Sequence, residues 1–594
     1  MATPRYIPCA NWTVGGTACK KTGTFSCKSC KLVSYCGPVC QKSHWSVHKT
    51  DCKSPLSSTS WKPGWEAENR TPSFVGDNDG PSNFGGMKYY WGNVPALDVL
   101  KLRENEGAGH EKHLRILCAA SGDFRNVVKT IAQLPSSYSG TVEVTLNDKE
   151  LDIVARNAIM LLIGLVVDND DNSNAPNMDT AIDCIIHIWY SALIRPSDLS
   201  ILQTHIRPLI ADICTKTANK PPHTLLAKTW TFPPVSSSNP TNGGPPRTLR
   251  LILQKQAWDR ILSFLDVPQG LTAEKAHKIR TGVTLARERR DHRDRYYTLQ
   301  VPAQRVAKER FREDGVMLPF GMARQGFLVP NPTFFQDGTW HMPDNANPLD
   351  GWSEEELAEY PHPPASADMY GKMYYYLRAM LRDFLIRVAE GKVTFRLFHM
   401  DAAQLPKHVE ASSFDRIDVS NISDAGYLGL YRTLNTMIPL LTTPSTNRHA
   451  TLITFFMNAI PEMSNPQDTL VSMGQSKTKL MQYMPNLLAN ARVIHAVSGG
   501  YQYSLEAVKF VCALELMGDH DAIWDRYTSL HNFSHTASLC NASMKPQQKH
   551  TIIEAWPYRL KLQPGQPGAQ AEFDRRLAGG MSGKERYVEW SRKV

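Results

Sequence analysis

Long apolar runs are missing from this sequence. The longest, Ala158 to Val167 and broken only by Gly164, is about half of what a bilayer crossing needs, so no membrane span is expected. Neither end carries a lipidation motif, and the opening Met-Ala-Thr-Pro-Arg-Tyr-Ile-Pro has no apolar signal-peptide core. There is no Arg/Lys stripe interleaved with aromatics. A formal charge of +9 over 594 residues suits solubility and argues against nucleic acid as a partner. No repeat recurs along the chain. No Ser or Cys nucleophile stands at motif spacing beside a histidine, which leaves hydrolase chemistry unsupported; His531 and His535 are the two histidines a general base would draw on. Cysteine is scarce after residue 52. Cys118, Cys184, Cys214, Cys512 and Cys540 are scattered in the way of reduced core thiols, so the chain is expected in the cytosol, the nucleus or both.

The other seven of its twelve cysteines fall within the first 52 residues. With one histidine they form the set Cys9, Cys19, Cys27, Cys30, Cys36, Cys40, His48 and Cys52. Thiolates with an imidazole select zinc over hard cations, and four ligands close a tetrahedral structural site, so eight ligands predict two zinc ions. A disulfide framework would want an even cysteine count and an oxidising compartment, and neither is indicated. Spacing alone does not assign ligands to ions. Eight Lys/Arg against Asp51, seven thiolates and two zinc ions leave this region only about +4, too little for a polyanion site.

The pattern Tyr35-Cys36-x3-Cys40-Gln41-x3-Trp45-x2-His48-x3-Cys52 resembles the MYND-type zinc finger. In that family the first and third ligand pairs share one ion and the second and fourth the other. The resemblance implies Cys9, Cys19, Cys36 and Cys40 at one site, and Cys27, Cys30, His48 and Cys52 at the other. The family usually opens with Cys-x2-Cys, whereas nine residues separate Cys9 from Cys19 here. His44, four residues before His48 and on the same helix face, is the alternative ligand. Fingers of this kind bind short proline-containing peptides of partner proteins without chemistry of their own, and the resemblance places Gln41 and Trp45 at the peptide groove. Lys28 stands where some peptide-binding relatives carry a small polar residue.

The expected organisation is a finger at 1–53 and a flexible linker at 54–87, rich in Ser, Pro, Gly, Asn and Asp. An α/β domain in two parts, 88–216 and 390–594, is interrupted by an insertion of loops and helices at 217–389. Leu114 to Ala120 is an apolar run ending in Ser121-Gly122-Asp123, helical spacing follows over Phe124 to Leu134, and Thr141 to Leu146 alternates as a strand before an apolar helix over Glu150 to Leu165. Strand–helix–strand–helix predicts a parallel α/β sheet. Phe414 to Val419 and Ala450 to Phe456 read as further strands, and Met369 to Ala389 as an amphipathic helix. Residues 217–248 and 331–364 read as loops, and 272–314 as a solvated helix laced with ion pairs.

A parallel sheet binds ligands beyond the carboxyl ends of its strands. Ser121, Gly122, Asp123 and Asp148 are the candidate cofactor residues there, joined by Asp418, Asn421 and Asp424. One glycine is a poor phosphate turn, and the acids serve equally as turn caps. Trp91-Gly-Asn-Val-Pro-Ala-Leu-Asp98, Ser121 to Asn126, Asn147-Asp148 with Ala155-Arg-Asn157, and Phe414 to Asp424 resemble an uncharacterised domain of fungal MYND-finger proteins and, more distantly, of the dynein axonemal assembly factor 3 family. That resemblance implies a Rossmann-like, methyltransferase-like fold. A non-catalytic adaptor or regulator is therefore expected. The alternative is a methyltransferase in which Ser121, Gly122, Asp123 and Asp148 hold S-adenosylmethionine.

Overall fold

A computed structural model describes residues 7–13, 18–75, 84–168, 174–235, 245–361, 364–485 and 503–593. Parts of the expected linker (76–83) and of the expected loops (236–244 and 362–363) lie outside the described residues.

Strands β1 (Phe25–Ser26) and β2 (Ser34–Tyr35) form a small antiparallel hairpin. Nine others build one sheet: β3 (Leu114–Cys118), β4 (Val142–Asp148), β6 (Leu225–Phe232), β7 (Arg247–Gln254), β9 (Val393–His399), β10 (Arg416–Asp418), β11 (Thr451–Phe456), β12 (Ala542–Met544) and β13 (Arg586–Arg592). A two-strand ribbon of β5 (Leu193–Ile194) and β8 (Val329–Pro330) stands apart. Across the sheet the order is β12-β13-β11-β10-β3-β4-β9-β7-β6. The six strands from β11 to β7 are parallel; β6, β13 and β12 run antiparallel at the two edges. The sheet is thus mixed rather than wholly parallel.

Both faces of the sheet are covered, which explains why its inner strands read as nearly continuous apolar runs. Side chains alternate between two cores with the period of two that a strand imposes. Leu114, Ile116 and Cys118 of β3 enter one core and Leu117 the other; Ile453 and Phe455 of β11 oppose Leu452 and Phe456. Helices Leu151–Leu165, Met178–Tyr190 and Met369–Ala389 fill the first core. Leu430–Met437, Asp521–Leu530 and Phe533–Leu539 fill the second. The long helix starts at Met369 because the Asp368 carboxylate caps it, accepting from the Gly371 N–H at 2.8 Å.

Three stretches differ from expectation. Residues 217–248 hold β6 and the start of β7, a hairpin that completes one sheet edge; Pro, Ser, Asn and Gly between the strands masked two strand-forming runs. Residues 331–361 are not a surface loop but core filling, with Phe334, Phe335, Met342 and Trp352 at 1% exposure or less. Asn331 anchors the start of the segment: its side chain donates to the carbonyls of His187, Ile188 and Ser191, and its N–H to the Ala192 carbonyl at 2.9 Å. Within the expected linker, Trp65 is buried and donates to the Tyr503 carbonyl at 2.5 Å, while Gly64 N–H reaches Asp294 at 2.8 Å. Residues 273–314 form three helices with ion pairs as expected, yet Arg280, Arg305 and Lys308 point inward.

Candidate metal centres and a sheet-edge cavity

The turn Cys27-Lys-Ser-Cys30 closes through a Lys31 N–H to Cys27 carbonyl bond of 2.9 Å, with Lys31 in the left-handed region (φ 54°). After the hairpin, Pro38 opens the helix Pro38–Cys52, where its missing N–H costs nothing. Cys40, His44, His48 and Cys52 follow at steps of four on one face of that helix.

These elements gather the eight residues into two groups. Cys9, Cys19, Cys36 and Cys40 form one, and Cys27, Cys30, His48 and Cys52 the other, with all donor atoms of a group within 4.8 Å of each other. Sulfur separations are 3.4 Å for Cys36–Cys40, 3.9 Å for Cys19–Cys36 and 3.8 Å for Cys27–Cys52; Cys30 Sγ lies 3.4 Å from His48 Nε2. A tetrahedral zinc with bonds near 2.3 Å spaces its sulfurs about 3.8 Å apart. A disulfide would need about 2.05 Å. Without a cation, neighbouring thiols oppose each other's ionisation. Cys30 is pushed up by Cys27 and by burial, and Cys36 by Cys40, while hydrogen bonds from Cys30 and His48 draw Cys27 down to about 3. The donor set therefore fits a soft divalent ion in each group.

His44 joins neither group. Its Nδ1 is 3.0 Å from the Tyr35 hydroxyl, its ring lies parallel to that of His48, and burial holds the imidazole neutral, down to about 4. Gln41 and Trp45 sit one turn apart on the outer side of the helix. Trp45 is 38% exposed, and Val39 and Phe25 are more so. The opposite side of the finger docks on the body: Trp12 Nε1–H donates to the Gly321 carbonyl at 3.0 Å and Arg310 pairs with Asp51 at 2.6 Å.

A cavity of about 910 Å³ opens beyond the carboxyl ends of β3, β4, β10 and β11. Ser121, Gly122, Asp148, Asp418 and Asn421 line it. Gly122 takes a left-handed turn (φ 54°), and its N–H donates to Asp148 Oδ2 at 2.9 Å; Asp148 Oδ1 accepts from the Glu150 N–H at 2.9 Å. Asp418 is likewise held by Asn126 Nδ2 at 2.9 Å and the Ser420 N–H at 3.1 Å, and burial raises both acids. Asp123 does not line the cavity. Its carboxylate is buried in a pair with Arg125 and accepts from Trp189 Nε1–H at 3.0 Å, a core partnership. Asp424 Oδ2 accepts from the N–H groups of Met457 and Asn458 while Oδ1 is buried with no hydrogen-bond partner among the described residues, and the His531 ring lies tilted against Tyr527; neither residue lines the cavity.

Two families match this chain. The MYND finger family matches residues 17–52, and a domain of unknown function (DUF4470) matches residues 90–194. The chain carries a MYND finger. No curated protein and no solved structure matches it.

The MYND match begins at residue 17, so Cys9 lies outside it, yet the fold carries Cys9 to the first group and its Sγ accepts the Cys36 N–H at 3.3 Å. The DUF4470 match spans β3, β4 and both turns that rim the cavity. Arg125, Asn126 and Asn147, which the sequence marked only through the resemblance, also line the cavity, as do the stacked rings of Phe455 and Tyr587, 4.5 Å apart, which nothing local in the sequence marked. One signal was present: the Gly92 of the Trp91–Asp98 stretch, where a Cβ would fall 2.1 Å from the Arg125 guanidinium.

Proposed function

We propose that this protein is a zinc-stabilised adaptor or regulator that captures a partner protein through its MYND finger, by a short proline-containing segment. One observation carries the proposal. Each Cys/His group has four protein donors and so no open position for an activated water, while Trp45, packed edge-on against His48 with Lys53 over its ring, stays 38% exposed beside Gln41 on the outer face. The two groups, Cys9/Cys19/Cys36/Cys40 and Cys27/Cys30/His48/Cys52, would each hold one zinc ion. The finger occupies 1–53; the body is a Rossmann-like domain in two parts, 88–216 and 390–594, with 217–389 inserted. The reversal of strand order between β10 and β3 supports that reading. Kinship with fungal MYND-finger proteins and with dynein axonemal assembly factor 3 belongs to the same proposal, as does residence in the cytosol or nucleus. Trp45→Ala is expected to weaken binding of proline-containing peptides at least tenfold in fluorescence anisotropy with zinc content unchanged; equal affinity would remove the groove.

A second reading, methyl transfer from S-adenosylmethionine, is favoured by the cavity over the strand reversal and its aromatic pair. Against it, both oxygens of Asp148 already accept turn N–H groups, and a single glycine turns the loop. Calorimetric titration of the full chain with S-adenosylmethionine is expected to show no micromolar binding. A Kd in that range would reverse the preference.

A further inference from the structure

A second cavity, of about 720 Å³, lies away from the sheet edge. The helices Pro302–Asp314 and Ala569–Ala578 supply much of its wall, and Thr59 of the segment leaving the finger joins them. Its apolar lining includes Leu349, Leu357 and Phe573. Lys308, Asp350 and Glu354 are among the ionisable side chains on that wall, which also include Arg305, Glu506, Lys509, Asp574 and Arg575.

Lys308 is 7% exposed, and among the described residues no carboxylate lies within 4.0 Å of its Nζ. Its partner is neutral: the amine donates to the Tyr296 hydroxyl and lies 4.3 Å from that ring's centroid. A buried ammonium without a counter-ion is costly, and the cost falls as the amine loses its proton. The two acids are equally short of partners. Among the described residues, the Asp350 carboxyl accepts only from Asn347 Nδ2, at 3.1 Å, and Glu354 Oε2 is buried with no hydrogen-bond partner. Their positions are built in. A Cβ on Gly579 would fall 1.6 Å from Glu354 Oε1, and one on Gly580 3.1 Å from Asp350 Cγ, so two consecutive glycines clear the space these carboxyl groups occupy.

We propose that this cavity takes an aldehyde or ketone with an apolar body and holds it as an imine on Lys308. The neutral amine adds to the carbonyl carbon, forming the C–N bond, and the π pair moves to oxygen, which takes a proton from Glu354. The nitrogen returns a proton to the Glu354 carboxylate, leaving a neutral carbinolamine. Asp350, entering as the acid, then protonates the hydroxyl as the C–O bond breaks and the nitrogen lone pair forms the C=N bond. Water leaves, and the iminium passes its remaining N–H proton to the Asp350 carboxylate. Amine plus carbonyl become imine plus water, with no redox change. Burial favours each group in the form this sequence needs: it draws Lys308 down to about 8 and pushes Asp350 up to about 6 and Glu354 up to about 7. Asp350, Glu354 and Arg312 are the charged groups around the amine.

The test is reductive trapping of the full chain with hexanal and cyanoborohydride at pH 7.5, followed by peptide mass spectrometry. Lys308 is expected to be alkylated at least tenfold faster than Lys278, whose side chain is 73% exposed, with a rate that peaks between about pH 7, where Glu354 loses the proton it donates, and about pH 8, where Lys308 becomes the free amine. Glu354→Gln is expected to slow trapping at Lys308 several-fold while leaving Lys278 and the thermal melt unchanged. Lys308 left unmodified, or modified no faster than Lys278, overturns the proposal. That comparison is made in the unmutated protein, so it stands even if a Lys308 variant fails to fold.

Discussion

With one zinc ion in each Cys/His group, as proposed, Cys36→Ala is expected to unfold the MYND finger and to lower the zinc content of the purified chain from two ions to one or none. The finger is small, and among the described residues its buried apolar side chains besides cysteine are only Ile7, Ala10, Leu32, Val33 and Tyr35. Metal binding must therefore supply its folding free energy, on the order of 10–16 kcal/mol for a structural zinc near neutral pH. Cys36 stands at the centre of the first group, 3.4 Å from Cys40 and 3.9 Å from Cys19, and its N–H also braces Cys9. Because helix Pro38–Cys52 carries Cys40 in one group and His48 and Cys52 in the other, loss of the first ion loosens the second. Elemental analysis would count the ions, and hydrogen exchange would show protection lost over 18–53 while the sheet keeps its own. Acid should mimic the mutation. The ligands bind as thiolates, so zinc is retained at neutral pH and released as falling pH protonates them. A variant that kept two zinc ions and its exchange protection would disprove the ligand assignment.

Much of the inner sheet could be read from the chain because each parallel strand is short, apolar and followed by a helical period. Leu114 to Cys118, Thr451 to Phe456 and the helix Met369–Ala389 fell where the pattern placed them, within a few residues. The metal ligands were legible for a different reason: thiol spacing is constrained by the ion's own geometry, not by packing. What escaped depended on distant partners. Asp123 looked like a loop acid facing ligand, but its carboxylate is claimed by Trp189, more than sixty residues on. Residues 331–361 looked like a surface loop because nothing local reveals that Asn331 will satisfy three carbonyls of another segment. Strands β6 and β7 were hidden by the composition of the connection between them. Lys308 stood in a stretch dense with both charge signs, and only the fold turns it inward beside Asp350 and Glu354.

Arg416→Ala is expected to cost about 3–5 kcal/mol of global stability, the penalty of leaving a buried carboxylate without its partner. Arg416 is fully buried on β10, and its guanidinium meets Glu106, itself only 3% exposed, at 2.9 Å. Nη1 also reaches the Asp415 carbonyl at 3.0 Å and Nη2 the Leu100 carbonyl at 3.3 Å, Nε has no hydrogen-bond partner among the described residues, and Asn447 bridges Glu106 to Asp415. One cluster thus fastens the 100–106 turn, the start of β10 and the approach to β11. β10 pairs only three residues on each side, so it has few ladder bonds of its own to hold it between β3 and β11. Two residues on, Asp418 rims the sheet-edge cavity, so slippage here should also disturb that rim. Urea unfolding of Arg416→Ala, Glu106→Leu and the combined Arg416→Met, Glu106→Leu chain separates two roles. Should the double variant recover most of the loss, the pair is a desolvated charge whose merit lies in fixing which strands meet. Should it remain as weak as Arg416→Ala, the bonds to backbone carbonyls carry the stability, because methionine fills the same volume but cannot donate to them.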